Sequence, residues 1–498
     1  MHLRTLIALT FLLPACEEKT PGRKLASGIA QRIAVSDRAV AFLTDARRPE
    51  DRAVPEDLLA GDLQLARLEG EGAARRVGAG VATTPDAFAF SRDGEELAFL
   101  ARWRFREGTG ELWVATAGGE PQRLAEEVSA FAWSPKGASL AFVAPGKLGL
   151  RRGGAVSFIA LDGLHDVAWA PAGDRIAARA GASAGGRLWL VDPAKAGRKE
   201  VAAGTTDFAF GPDGTLASLG PPPPKGGDRP LLLLEGSAAK ELGRATAFAF
   251  SPDGKEVALF STAKQPGEAT GELSRVPRAG GASQTLGKRV SDWRWAGPAE
   301  LAFLANYDLR ARAGALTVAR RGEAPREVAP RAQSLLVEGG RLFWLVPVSQ
   351  KGDFKIELWT SSLAGDVPRK IDEGVYGWQM APDGKTLFYK ARCAGGPRSC
   401  SLLRLDLGGG TPKFLAANVA GFDLSRDGTR LLLQQPHRGA TRAVDLAVIA
   451  AAGEPPREVK PFVFEADTGS RFADAAGKSV VVATIAAGKG GVFLVPLP

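Results

Sequence analysis

The chain has 498 residues, 45% of them apolar and 24% charged, with a formal net charge of +9 and three cysteines. That balance excludes a disordered polymer and a disulfide-dense miniature scaffold, and the length corresponds to about three ordinary domains unless a repeat accounts for it. Beyond the first fifteen residues no apolar run approaches the roughly 18 residues that a membrane-spanning helix needs.

The chain opens with "MHLRTLIALTFLLPAC": a short basic start, an apolar stretch from Leu6 to Leu13, and small residues running into Cys16. This is too short for a membrane span and fits a secretion signal. Leu13-Pro14-Ala15-Cys16 resembles the lipobox of bacterial lipoproteins, although Pro14 is a less usual choice inside it. The resemblance implies cleavage before Cys16, a diacylglycerol on its thiol and an acyl chain on its amine. Such chains anchor stably because each buried methylene contributes about 0.8 kcal/mol. Simple secretion is the alternative. On this reading residues 1–15 are the signal and 16–24 a tether, and the mature chain is periplasmic or outer-membrane associated.

From there one phrase recurs. "DAFAFSRDGEELAFL" begins at Asp86, "SAFAWSPKGASLAFV" at Ser129, "HDVAWAPAGDRIAAR" at His165 and "TDFAFGPDGTLASLG" at Thr206. "TAFAFSPDGKEVALFS" follows at Thr246, then "SDWRWAGPAELAFLA" at Ser291, "YGWQMAPDGKTLFYK" at Tyr376 and "AGFDLSRDGTRLLLQ" at Ala420. Phe248-Ala249-Phe250 alternates with the period of a strand, and Ser251-Pro252-Asp253-Gly254 is turn chemistry: Pro presets φ, Asp bonds a nearby N–H, and Gly accepts positive φ. A second strand returns. A third follows in "GELWVAT" at Gly110, "GRLWLVD" at Gly186, "IELWTSS" at Ile356 and "CSLLRLD" at Cys400. A Gly-rich turn and a short fourth strand close the unit. Four strands at a pitch of roughly 36 to 50 residues predict an all-β chain of β-propeller blades. Trp113, Trp189 and Trp359 share a third-strand place, and Trp133, Trp169 and Trp295 a first-strand place, as blade-to-blade packing requires.

Phe-Ser-Pro-Asp-Gly, Leu-Ala-Phe, Glu-Leu-Trp-Val and Gly-Gly-Glu-Pro together resemble the TolB-type, WD-like propeller repeat, also found in the propellers of prolyl oligopeptidase relatives. The resemblance covers nearly the whole mature chain. It implies the fold and leaves function open, because propellers host unrelated activities.

Weaker copies from Ile33, Ser334 and Phe472 bring the count to eleven. Two propellers of six and five units, 25–290 and 291–498, are expected, with one large ring as the alternative. The chain ends on "GGVFLVPLP", a third strand with no fourth after it, whereas "RKLASGIAQRIAVSD" near the start aligns with the fourth strand "QRLAEEVSAFAWSP" of another unit. Leu25 and its neighbours are therefore expected to complete the last blade and hide an edge.

Outside the cytoplasm, Cys393 and Cys400, flanking a Gly-Pro loop between strand-like runs, are expected to pair; two unrelated thiols are the alternative. Nothing nearby supplies further zinc ligands, and neither cofactor nor metal is expected. Catalysis has little support. His165 and His437 stand beside no nucleophile motif, and the turn residues Asp93, Asp213, Asp253, Asp383 and Asp427 give way to Lys136, Ala172 and Pro298 in sister units.

The nine segments read as second-to-third-strand loops hold twenty Lys or Arg against five Asp or Glu, so the remaining chain is acidic on balance. Arg102, Arg104, Arg106, Arg151, Arg152, Arg392 and Arg398 are expected on one face, either as solvated charge or as a docking face for an anionic partner: an acidic envelope protein, a glycan or a lipid headgroup. Nucleic acid is disfavoured by the location. Asp86, Asp166, Asp207 and Asp292 precede first strands and are expected at the channel mouth, capping backbone or receiving a cation. The expectation is a lipid-anchored binding scaffold with no enzymatic activity; the alternative is a propeller lyase or hydrolase working at the channel mouth.

Overall fold

The computed structural model describes residues 22–27, 30–48, 58–182, 185–224, 227–235, 238–262, 270–350, 353–393, 396–436, 443–453, 457–465, 470–484 and 491–497. Among them every regular element is a strand, and the strands form eleven four-stranded antiparallel sheets. Each sheet is a meander in chain order. Numbered along the chain, the blades cover residues 30–82, 88–128, 130–160, 164–205, 207–245, 247–290, 293–332, 334–373, 377–419, 421–465 and 471–496.

The local chemistry behaves as the turns require. In blade 6 the hydroxyl of Ser251 donates to Asp253 at 2.7 Å and accepts the Glu256 N–H at 3.0 Å, while Asp253 accepts the Lys255 N–H at 3.1 Å. Gly254 takes a φ of 69°, in the left-handed region that a side chain would resist. Ser91 with Asp93 and Ser425 with Asp427 repeat the arrangement. The aspartates thus serve the turn.

Second strands carry the core. Phe42, Phe99, Phe142 and Phe303 occupy one place in their blades and are all fully buried, each contributing about 1.5–3 kcal/mol of apolar burial. A blade exposes two apolar faces, and each is covered by a neighbour. Eleven hydrophobic clusters result, one at each of eleven junctions. Blades 6 and 7 meet through Ala258, Leu273 and Val290 against Leu301 and Phe303, a junction packed like the others. Blades 11 and 1 meet through Val481, Val492 and Leu494 against Val40 and Phe42. The circuit closes on itself, so of the two arrangements that the repeat count allowed, the packing is that of one large ring.

The closing strand is the expected one. Arg23–Ser27 pairs antiparallel with Gly491–Pro496, placing Arg23 opposite Leu494 and Ser27 opposite Gly491. It is the fourth strand of blade 11, and Leu25 sits 1% exposed in the cluster between blades 11 and 1. The first and last described strands therefore share a sheet, and the outer edge of Gly491–Pro496 is covered.

First strands lie innermost, since those of neighbouring blades touch one another around the axis. Trp133, Trp169 and Trp295 donate their indole N–H to the first-strand carbonyls of Ala89, Ala132 and Ala249 in the preceding blade, at 3.0, 3.0 and 3.2 Å. Trp113, Trp189 and Trp359 pack against the clusters between blades. Both aromatic series are blade-to-blade contacts.

Candidate functional site

A meander blade sends its second-to-third loops and its connections to the next blade to one face, here the loop face. Its first-to-second and third-to-fourth turns emerge on the other, the turn face. Arg102, Arg104, Arg106, Arg392 and Arg398 lie at or beside second-to-third loops, as expected. Their charge is largely answered locally: Arg102 reaches Glu111 at 2.8 Å, Arg104 reaches Glu127 at 3.0 Å and Arg392 reaches Asp372 at 3.2 Å.

Arg151 and Arg152 are elsewhere, which corrects the expectation. Only residues 145–146 separate the second strand of blade 3 from its third, Lys147–Arg152, so the third strand carries both arginines to the turn face. Arg151 is 7% exposed there and grips both carboxylate oxygens of Glu96 in blade 2, at 2.7 Å each. It is a structural clamp between blades. Arg152 stays exposed and donates to the Pro193 carbonyl of blade 4 at 3.0 Å.

The four channel-mouth aspartates stand in four different blades and do not converge. Asp166 pairs with Arg179 at 2.9 Å, Asp292 with Arg294 at 3.1 Å, and Asp207 caps the Phe208 N–H at 2.8 Å. Asp86 is exposed, with the charge of Arg32 close by. Among the described residues no three His, Cys, Asp or Glu are grouped to hold a metal. Cys393 and Cys400 form a disulfide across the second-to-third loop of blade 9. Cys16 and His437 lie outside the described residues.

Two hollows stand out instead. The larger, about 760 Å³, is a cleft on the turn face at the junction of blades 3 and 4. Arg152, Arg175, Arg198 and Lys199 line it, with Asp174, Asp192 and the ring of Trp169. Its arginines are braced from outside. Arg175 donates to the Gly214 carbonyl at 3.2 Å, and Arg198 lies over the Trp189 ring, 5.2 Å from its centroid. Asp192 is spent on the N–H groups of Ala194 and Lys195. Asp174 approaches Arg175 only to 3.7 Å. Four cations therefore face one polar hollow, of which only Arg152 was singled out in the sequence. The others come from one turn and one fourth strand of blade 4, and their approach to Arg152 of blade 3 is tertiary.

The second hollow, about 600 Å³, opens on the channel wall of blades 8 to 10. The middle first-strand residue is Ala34, Ala89, Ala132, Ala168, Ala209 and Ala249 in blades 1 to 6, but Arg294, Leu336, Gln379 and Asp423 in blades 7 to 10. One side of the channel thus offers methyl groups, and the other larger side chains, three of the four polar or charged. Burial pushes the Asp423 carboxyl up, against donation from Gln379 and the charge of Arg471; burial alone pushes up Glu338. In the turn residue Asp253, by contrast, bonding from Arg321 of blade 7 holds the carboxyl well below its usual range. The break in the alanine series was present in the sequence, and it was the signal that could have found this wall.

No protein-family model matches the sequence, and no curated protein proves similar to it. Some solved structures are similar to it in part. A eukaryotic initiation factor is similar over 81% of this chain and 99% of its own, with 11% identity and a TM-score of 0.42. A prolyl endopeptidase is similar over 65% of this chain and 54% of its own, at 14% identity and a TM-score of 0.34. The tricorn protease is similar over 88% of this chain and 44% of its own, at 13% identity and a TM-score of 0.32.

Proposed function

We propose that the chain is a binding propeller of the bacterial cell envelope, TolB-like and without catalytic activity, held to a membrane through lipidated Cys16. Its partner is an anionic envelope glycan received in the cleft between blades 3 and 4. The cleft carries the reading. Four cations on three elements, the three arginines braced, surround a hollow large enough for several sugar rings, and its two aspartates leave a positive excess. Carboxylate, phosphate or sulfate groups on a glycan would take bidentate bonds from the arginines, and Trp169 would offer an apolar face to a ring.

Titration calorimetry with polygalacturonate and with a sulfated oligosaccharide tests it. Saturable binding that weakens with salt is expected, falling about tenfold or more in Arg175→Glu and in Arg198→Glu. Equal affinity in both variants, or turnover of the glycan, would reject the reading. Anchoring has its own check: Cys16→Ser should abolish incorporation of labelled palmitate and move the chain to the soluble fraction, whereas unchanged labelling rules out the anchor.

A further inference from the structure

The channel wall of blades 8 to 10 points to a second ligand of opposite charge. Glu338 ends the first strand of blade 8, Ser334–Glu338; Gln379 and Trp378 belong to that of blade 9, Gly377–Met380; Asp423 belongs to that of blade 10, Gly421–Leu424. The hollow they line runs down to the turn residues Pro382 and Arg426, so it opens on the turn-face mouth of the channel.

Most of its polar groups are already committed. Gln379 donates its amide N–H to Asp423, which also takes the backbone N–H of Phe472 in blade 11. Arg426 is paired with Asp37 at 2.8 Å. Two acceptors are left over. Gln379 Oε1 is buried with no hydrogen-bond partner, a state that ordinarily costs free energy. The Glu338 carboxylate has no hydrogen bond or ion pair among the described residues. Beside them stand the Trp378 ring, Met380 and Leu336.

Two unanswered acceptors, Gln379 Oε1 and the Glu338 carboxylate, thus line one hollow beside the Trp378 ring, and they select a ligand that donates N–H groups. A ligand without N–H or O–H donors would leave both acceptors unanswered, and an anion would meet the Glu338 carboxylate. We propose that this mouth binds a protonated alkylamine, its ammonium held by Glu338 and Gln379 Oε1 with its chain along Trp378. The same chemistry is offered by a free diamine and by a lysine side chain of a partner protein.

Two probes separate those sources: 1,5-diaminopentane, and a blocked pentapeptide with one central lysine. Tryptophan fluorescence or calorimetry should show saturable binding of at least one. Diamine binding assigns a small-molecule site, and peptide binding alone assigns a lysine of a partner. Glu338→Gln should weaken either by about tenfold or more. Because Glu338 is unpartnered, this variant should melt with the parent. Glu338→Lys supplies a competing ammonium from within and should abolish binding. If neither probe binds, or if both variants bind as the parent does, the site is not an amine site.

Discussion

Arg151 and Glu96 meet across the junction of blades 2 and 3 through two bonds of 2.7 Å, with the arginine almost entirely buried. Truncating one partner of such a pair strands the other charge away from water. Arg151→Ala should therefore destabilise the ring by about 3 kcal/mol, while Arg151→Met combined with Glu96→Gln should recover much of that loss. Thermal melts of the two variants check the claim, and an unchanged melting temperature in Arg151→Ala would refute the clamp. The residue itself was legible in the sequence, but its address was not. A hairpin of two residues instead of a longer loop turned a supposed docking group into an interior one. Asp253 teaches the same distinction. Its turn role follows from Ser251, Pro252 and Gly254 beside it, whereas its bond to Arg321 joins residues 68 apart and is set by the packing of blade 7 on blade 6.

At the scale of elements, the strand Arg23–Ser27 decides whether the ring is closed or merely curled. Its role could be read from sequence because "RKLASGIAQRIAVSD" carries the same alternation as the fourth strands elsewhere. Deleting residues 22–27 removes a row of backbone hydrogen bonds, each worth about 1 kcal/mol net, and takes Leu25 out of the closing cluster. The exposed edge of Gly491–Pro496 would also be free to pair with another molecule. The deleted form should melt lower and elute from a sizing column as self-associated species. Parent-like melting and elution would mean that another contact closes the ring. The functional hollows were less legible than the strands. Arg175, Arg198 and Lys199 come from a turn and a fourth strand with no shared motif, and only the ring sets them around one cleft.

For the whole molecule, the number of blades was open to counting, because each blade repeats its own turn chemistry and its own buried second strand. Which blade faces which was not. A junction is made by apolar faces that look alike in every unit, so the sequence of blade 6 does not say whether it packs on blade 7 or returns to blade 1. The eleven clusters supply that answer by linking each blade to the next and the last to the first. The wide channel, its alanine side and its polar side all depend on this closure. So does the clasp of Arg426 in blade 10 on Asp37 in blade 1, which spans the short first strand of blade 11. Electron microscopy of the purified protein, averaged in views down the axis, tests the closure most directly. The account predicts a single disc of eleven radial blades around one wide hole. Two smaller discs, or an open arc, would contradict it.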